Sequence, residues 1–457
     1  MMTSQQDIHA IVGMGKTGVS IANFLTRRGI ACVAFDEHLK ALPESLSIPF
    51  HRGKLQGKRL SQYQAVWVSP GVRWSHPALQ MARDAGVPVQ GDLSLFLSYC
   101  QVPLLAITGT NGKTTTTQTI QTLLETLPGG CDMGGNIGTP MLDLIVDKDM
   151  HMPARIVLEL SSFQLERCDA IHPKWAVLLN VQPDHADMHA SEEDYRDAKL
   201  KVFAHQGEGD TAVLPVDSIW DELCESLKQR GVQVHRFGHV QQESLQEETL
   251  MAGIVTNDEA DSLFWHDQGC RQSIPCENIP TRGLHQHINL AVAAQAAADF
   301  GVGQKVVHEA ITSFRGLPHR LRNLGTVAGH AWFDDSKATN PAAAEAALAS
   351  FDQVIWICGG LLKGLNVMSM RETVKKHVVY AVIIGKDPAP YIRLMQSVGV
   401  SYTVAGVMSR AVHFAAEHEG DDPVLLSPAA ASMDQFKNYA ERGDVFHDAI
   451  RALNKGT

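Results

Sequence analysis

Residues 106–127 read AITGTNGKTTTTQTIQTLLETL, and the reading of this stretch decides the fold. The apolar run LLAIT has β character, and apolar side chains at Ile120, Leu123, Leu124 and Leu127 then keep the spacing of one helix face. Strand, glycine-bearing turn and helix in that order form an anion site, because backbone N–H groups close around phosphate at a helix N-terminus. The usual pattern is G-x-x-x-x-G-K-[ST], but Ile107 stands where its first glycine belongs. Gly109 gives G-x-x-G-K-T instead, a loop two residues shorter. Gly109, Thr110, Asn111, Gly112, Lys113, Thr114 and Thr115 are therefore expected to bind ATP. Lys113 neutralises the β/γ oxygens, and Thr114 or Thr115 presents a hydroxyl to Mg²⁺. A Lys-Thr pair at a helix start has no packing rationale, which argues against a bare turn.

A second glycine turn lies upstream. Gly13, Gly15 and Gly18 complete G-x-G-x-x-G after the strand-like IHAIVG, and Asp36 closes the next strand, IACVAFD. Alone this spells a dinucleotide, hence an NAD(P)-dependent oxidoreductase. The same geometry seats any diphosphate, a UDP-sugar included, and a separate ATP loop implies two different nucleotides. Gly15, Lys16, Thr17 and Asp36 are the expected contacts, with Ser69, Pro70 and Gly71 of the next strand end, AVWVSPGV.

The chain has 457 residues, 44% hydrophobic and 19% charged, enough for several well-filled cores. A net charge of -11 argues against a broad nucleic-acid surface. No signal peptide and no apolar run of spanning length is read, so no membrane partner is expected. Eight scattered cysteines without a C-x-x-C pair fit reduced thiols and a cytoplasmic location. A monomer is expected.

Further strand-like runs alternate with helical stretches: ARIVLEL, WAVLLNV, TAVLPV, then QVIWICGG, VVYAVIIG, VSYTVAG and PVLLSP. Residues 240–280 are polar and irregular and read as short antiparallel strands. QHINLAVAAQAAADFG reads as a helix closed by glycine. This alternation predicts an α/β protein with parallel sheets covered on both faces. Three domains are expected: N-terminal Rossmann-like over 1–95, central P-loop ATPase-like with a parallel sheet over 96–315, and C-terminal Rossmann-like over 316–457.

GTNGKTTT, GGNIGTP, ELSSFQLE, LNVQPDHAD, GLPHR, DDSKATNP and LLSPAAASMDQFKNYAERG occur in the order found in the Mur ligases, and the chain resembles that family over nearly its whole length. ELSSFQL, GLPHR, DSKATN and the long ending resemble the branch that adds D-glutamate. The shorter phosphate loop is the family's form. The resemblance implies ATP-driven phosphorylation of a carboxylate, followed by displacement of phosphate by an amine. The implied substrates are UDP-N-acetylmuramoyl-L-alanine, D-glutamate and ATP. Carboxylate and γ-phosphate repel, so cations must gather where they meet.

The resemblance also implies roles. Lys113, Lys199, His185 and Lys337 are the implied catalytic residues. Thr114, Glu159, His185 and Lys199, the last as a carbamate, are the implied metal ligands. Mg²⁺ prefers oxygen, so the histidine rests on resemblance alone. Carbamylation needs a depressed lysine pKa, and Lys201 is the neighbouring competitor. Asn136 is implied at the UDP-sugar, and Asn289, Arg320 and Asp335 at ATP. Lys337, Thr339, Lys363, Ser432, Met433 and Tyr439 are implied at D-glutamate. The chain departs from the family's habit at Gln286, Arg322, Leu362 and Asn366, which touches the ATP pocket and the wall of the third domain.

Overall fold

The structure is a computed structural model describing residues 8–145, 152–184, 189, 191–242, 250–257 and 260–453. Three sheets follow one another along the chain. The first joins β1 (His9–Val12), β2 (Cys32–Asp36), β3 (Phe50–Arg52), β4 (Ala65–Val68) and β5 (Val89–Gln90) in the order β3-β2-β1-β4-β5, all parallel. The strand order reverses between β1 and β4, and ligands bind at such a switch point, outside the C-terminal strand ends.

The central sheet contains β6 (Leu104–Thr108), β7 (Asp132–Gly135), β8 (Ile156–Glu159), β9 (Trp175–Leu178), β10 (Thr211–Pro215), β11 (Gln233–Gln241), β12 (Leu250–Thr256), β13 (Asp261–Asp267) and β14 (Cys270–Pro275). Its order is β14-β13-β12-β11-β10-β9-β6-β8-β7. It is parallel from β7 through β12, and β12-β13-β14 form an antiparallel meander. The antiparallel strands expected in 240–280 are thus present, joined to the main sheet by a parallel β11–β12 pair. Leu263, Phe264 and Trp265 are fully buried there, against a polar sequence average.

The third sheet joins β15 (Arg322–Val327), β16 (His330–Asp334), β17 (Val354–Cys358), β18 (Val378–Ile384), β19 (Ser401–Gly406) and β20 (Val424–Leu426), ordered β15-β16-β20-β17-β18-β19. All its pairs are parallel except β15–β16. That hairpin escapes sequence reading because β15 is mostly exposed and carries no apolar alternation.

Two helices line the back of the central site. The helix Lys113–Leu124 buries Ile120, Leu123 and Leu124, but stops before Leu127, where Pro128 and Gly129 turn the chain. The helix Leu284–Asp299 is buried along almost its whole length, and its run of alanines lets it lie close against neighbouring elements. The helices among the described residues include none long and apolar enough to cross a membrane.

Candidate active site in a cleft between the central and third sheets

Strand β6 delivers the glycine turn to the sheet's C-terminal edge. Gly109 (φ 148°) and Gly112 (φ 86°) hold backbone conformations that L side chains rarely adopt. A Cβ on Gly112 would stand 2.5 Å from Asn289 Oδ1, so the helix bearing Asn289 packs directly on the turn. Asn180, at the end of β9, props the turn from the other side: its Oδ1 accepts from the N–H of Asn111 (2.8 Å) and of Thr110 (3.2 Å). Asn180 was not foreseen from sequence; its only signal is its place at a strand end.

Two lysines share one acceptor. Lys113 Nζ donates to Gly109 O at 2.8 Å and Lys199 Nζ donates to the same oxygen at 2.9 Å. Lys199 is 1% exposed, and its ammonium lies 4.3 Å from the centre of the Tyr195 ring. Burial, reinforced by the Lys113 charge, drives the Lys199 pKa well down. Burial also lowers Lys113, with Glu159 opposing. Lys201 reaches instead to the Glu166 carbonyl (3.0 Å) and Asp169 (3.1 Å) on the outside.

Beside the lysines is a cluster of oxygens. Thr114 Oγ1 donates to Glu159 Oε2 at 2.8 Å, and Asn136 Nδ2 donates to Glu159 Oε1 at 2.9 Å. Glu159 is buried at the end of β8. Asn136 therefore lies in this cleft, not in the first domain's cavity. His185 lies outside the described residues.

The opposite wall comes from the third sheet. The cleft, of about 650 Å³, is bounded by residues 110–115, Glu159 and Lys199 on one side and by Arg320, Asp335, Lys337, Thr339 and Lys363 on the other. Asn340 bridges the two walls, donating to Asp184 Oδ2 (3.2 Å) and Asn111 Oδ1 (3.4 Å) while capping its own helix through Ala343 N–H. Burial raises Asp335 to about 7 although Ser427 donates to it, and burial with the Arg320 charge lowers Lys337 to about 8. Burial also lowers Arg320. Gln286 lines the cleft and donates to Arg320 O at 3.1 Å. His285, which sequence reading passed over, is held neutral by burial, with a pKa of about 4.

A polar core supports this wall. Asp334 Oδ2 accepts from His319 (2.6 Å) and His447 (2.7 Å), and its Oδ1 accepts from Ser336 N–H. The group has the residue types of a cation site, yet its hydrogen bonds already satisfy it internally. It fixes the segment carrying Arg320 to the one carrying Asp335 and Lys337, since His319 O also accepts from Lys337 N–H. Gly443 makes room: a Cβ there would stand 2.1 Å from His319 Nδ1. Arg442, 1% exposed, ties Ser336 to Ala430. Tyr439 sits behind Lys337, ring centre to Nζ 3.9 Å. Ser432 is buried and Met433 is 56% exposed, next to Ala431 at the cleft's margin. Among the departures, Arg322 is exposed, Leu362 lines the cleft and Asn366 caps the short helix Val367–Met370 through Met368 N–H.

A separate cavity of about 560 Å³ sits at the first sheet's switch point. It collects Gly15, Lys16, Thr17, Asp36, Ser69, Pro70 and Gly71. Ser69 Oγ donates to Gly13 O at 2.6 Å, joining two of its loops. Asp36 accepts three backbone N–H groups, from Met14, His38 and Leu39, and these hold its pKa low against the upward push of burial.

Both halves of this arrangement have counterparts in known proteins. Residues 107–297 match the Mur ligase middle domain, and residues 7–91 match the Mur ligase MurD-like, N-terminal domain. The chain is 37% identical to UDP-N-acetylmuramoylalanine--D-glutamate ligase of Hahella chejuensis, covering 97% of this chain and 98% of that one. The enzyme of that name from Geobacter metallireducens is 35% identical, covering 98% and 97%. MurF ligase from Thermotoga maritima in complex with ADP has the same fold, with a TM-score of 0.60 at 16% identity and coverage of 100% and 97%. A cleft of about 650 Å³ with a lysine pair lies between two α/β units, in a chain whose full-length relatives are ligases. The chain belongs to the Mur ligase family.

Proposed function

We infer that this chain is an ATP-dependent ligase of peptidoglycan precursor synthesis. It adds D-glutamate to UDP-N-acetylmuramoyl-L-alanine and releases ADP and phosphate. One observation carries the reaction class: the glycine turn with Lys113 and the triad Arg320, Asp335 and Lys337 face each other across a single cleft. The full-length likeness to D-glutamate ligases supports the choice of amino acid.

The three sheets support a division at 1–95, 96–315 and 316–457. The turn at 109–113 and Lys113 hold the ATP phosphates, with Arg320 forking onto them from across the cleft. Asn289 and Gln286 face the base, and Asp335 the ribose. The first-domain cavity takes the uridine diphosphate, which leaves the free L-alanyl carboxylate directed toward Asn136 in the cleft. There a carboxylate oxygen attacks the γ-phosphorus and ADP departs. The amine of D-glutamate then attacks the acyl carbon, and phosphate leaves. Lys337, Thr339 and Lys363 receive D-glutamate, with Ser432, Met433 and Tyr439 forming the far margin.

Thr114 Oγ1 and the Glu159 carboxylate, 2.8 Å apart, are an oxygen set that fits Mg²⁺. When bound, the ion screens the repulsion between carboxylate and γ-phosphate. Lys199 has the depressed pKa that carbamylation requires. Its neutral Nζ attacks CO₂ and gives up a proton to water, leaving an anionic oxygen ligand. His185 is assigned to the same metal region on the family pattern. Eight unpaired thiols support a cytoplasmic location.

The deciding experiment measures ADP release with UDP-N-acetylmuramoyl-L-alanine and a panel of amino acids. D-glutamate should be strongly preferred. Equal turnover with a diamino acid would redirect the assignment within the family.

A further inference from the structure

Arg167 lies just after the helix Ser162–Glu166 and is 2% exposed. Its guanidinium meets the carbonyls of one loop of the first domain. Nη1 donates to Ser69 O and, at 3.5 Å, to Val68 O; Nη2 donates to Pro70 O at 3.1 Å and to Val72 O. The planar fork can gather such acceptors only if the loop curves around it. Trp74 flanks the same guanidinium at 5.4 Å. Arg167's own carbonyl accepts from Gly91 N–H and Ser94 Oγ, both at 3.2 Å, so the residue is held where the first and central units join.

The loop it gathers is a wall of the first-domain cavity, formed by Ser69, Pro70, Gly71 and Val72. At the other end of the same short helix, Ser161, Ser162 and Phe163 line the ATP cleft. We propose that Arg167 is a positioning residue for the nucleotide-sugar. From the central domain it sets the curvature of the 69–72 wall, and it joins that wall to the ATP cleft through one helix. The first-domain cavity has its binding shape only while docked on the central domain. This rests on the reading of that cavity as the UDP-sugar site.

The test compares full-length wild type, Arg167→Ala and Arg167→Lys. Calorimetric binding of UDP-N-acetylmuramoyl-L-alanine is measured alongside steady-state kinetics in both substrates. Arg167→Ala should raise the UDP-sugar KM and Kd about tenfold or more, as lost charge-assisted bonds to a ligand wall do, with the ATP KM within about twofold. Arg167→Lys should recover part of the loss, since an ammonium keeps the charge but not the fork. Unchanged UDP-sugar affinity in Arg167→Ala, or an equal fall in every parameter, overturns the proposal. If that variant does not fold, Arg167→Lys decides, and wild-type affinity in it overturns the proposal. Wild type that binds no UDP-sugar would remove the cavity assignment and this proposal together.

Discussion

At residues 13–18 and 109–113 the chain builds two strand–turn–helix glycine turns with opposite surroundings. The first has an exposed lysine, Lys16, which donates to Gly138 O at 2.7 Å across the domain boundary. Its neighbouring carboxylate, Asp36, is committed to backbone N–H groups. The second has two lysines on one carbonyl and draws Arg320 and Lys337 from another sheet. Backbone N–H groups at a helix N-terminus suffice in general to hold a phosphate. Chemistry on a phosphate needs buried cations brought in from distant parts of the chain.

Substitutions at matching places separate the two most sharply. Lys113→Ala should lower the rate of ADP release by about three orders of magnitude or more. Lys16→Ala should leave kcat unchanged and raise the UDP-sugar KM by at most about tenfold. Near-normal turnover in Lys113→Ala would contradict the assignment of the second turn. Lys199→Ala should be almost inactive and regain turnover with added formate or acetate, whereas Lys201→Ala should resemble wild type. Full activity in Lys199→Ala without rescue would make it a structural lysine only.

Asp36→Ala should raise the UDP-sugar KM about tenfold while changing the ATP KM less; the reverse ranking would exchange the two sites. The turns should also differ in pH response. Asp335 ionises near 7 and Lys337 loses its proton near 8. The kcat/KM for ATP should therefore rise through about 7 and fall above about 8. Asp335→Asn should remove the acid limb. Asp36 is held below the ordinary carboxylate range, so UDP-sugar binding should be flat over that interval.

The smallest effect concerns stability. Burial would raise Asp334, but bonds from His319 and His447 outweigh it and hold the carboxyl near 2, below its unfolded 3.8. This contribution, about 2 kcal/mol, is present above the unfolded value and is lost as pH falls through about 2. His319 is raised by its bond to Asp334, so its share is complete below 6.5 and is lost as pH rises through the raised value. Thermal unfolding of Asp334→Asn followed against pH should lack both slopes.

What the sequence made legible was local. Both glycine turns and Lys113 could be read because strand, turn and helix are adjacent in the chain, whereas the role of Glu159 came from the family resemblance. Lys199 and Lys201 could not be told apart, since both fit a surface helix; only packing sends one inward and the other to Asp169. His447 had no signal and Asn180 only its place at a strand end, because their partners lie far away in sequence. Arg167 was invisible for the same reason: its acceptors are backbone carbonyls, which no residue pattern reports.

Gly443 explains why the long terminal motif finishes on a glycine. It sits within the helix Tyr439–Leu453, where glycine costs about 1 kcal/mol relative to alanine. The missing side chain leaves a notch that admits the His319 imidazole. Slip that helix by one turn, about 5.4 Å, and Ala440 or His447 would present a side chain to the ring. The notch therefore works as an index mark, fixing the last helix to one longitudinal setting relative to the loop that carries Arg320.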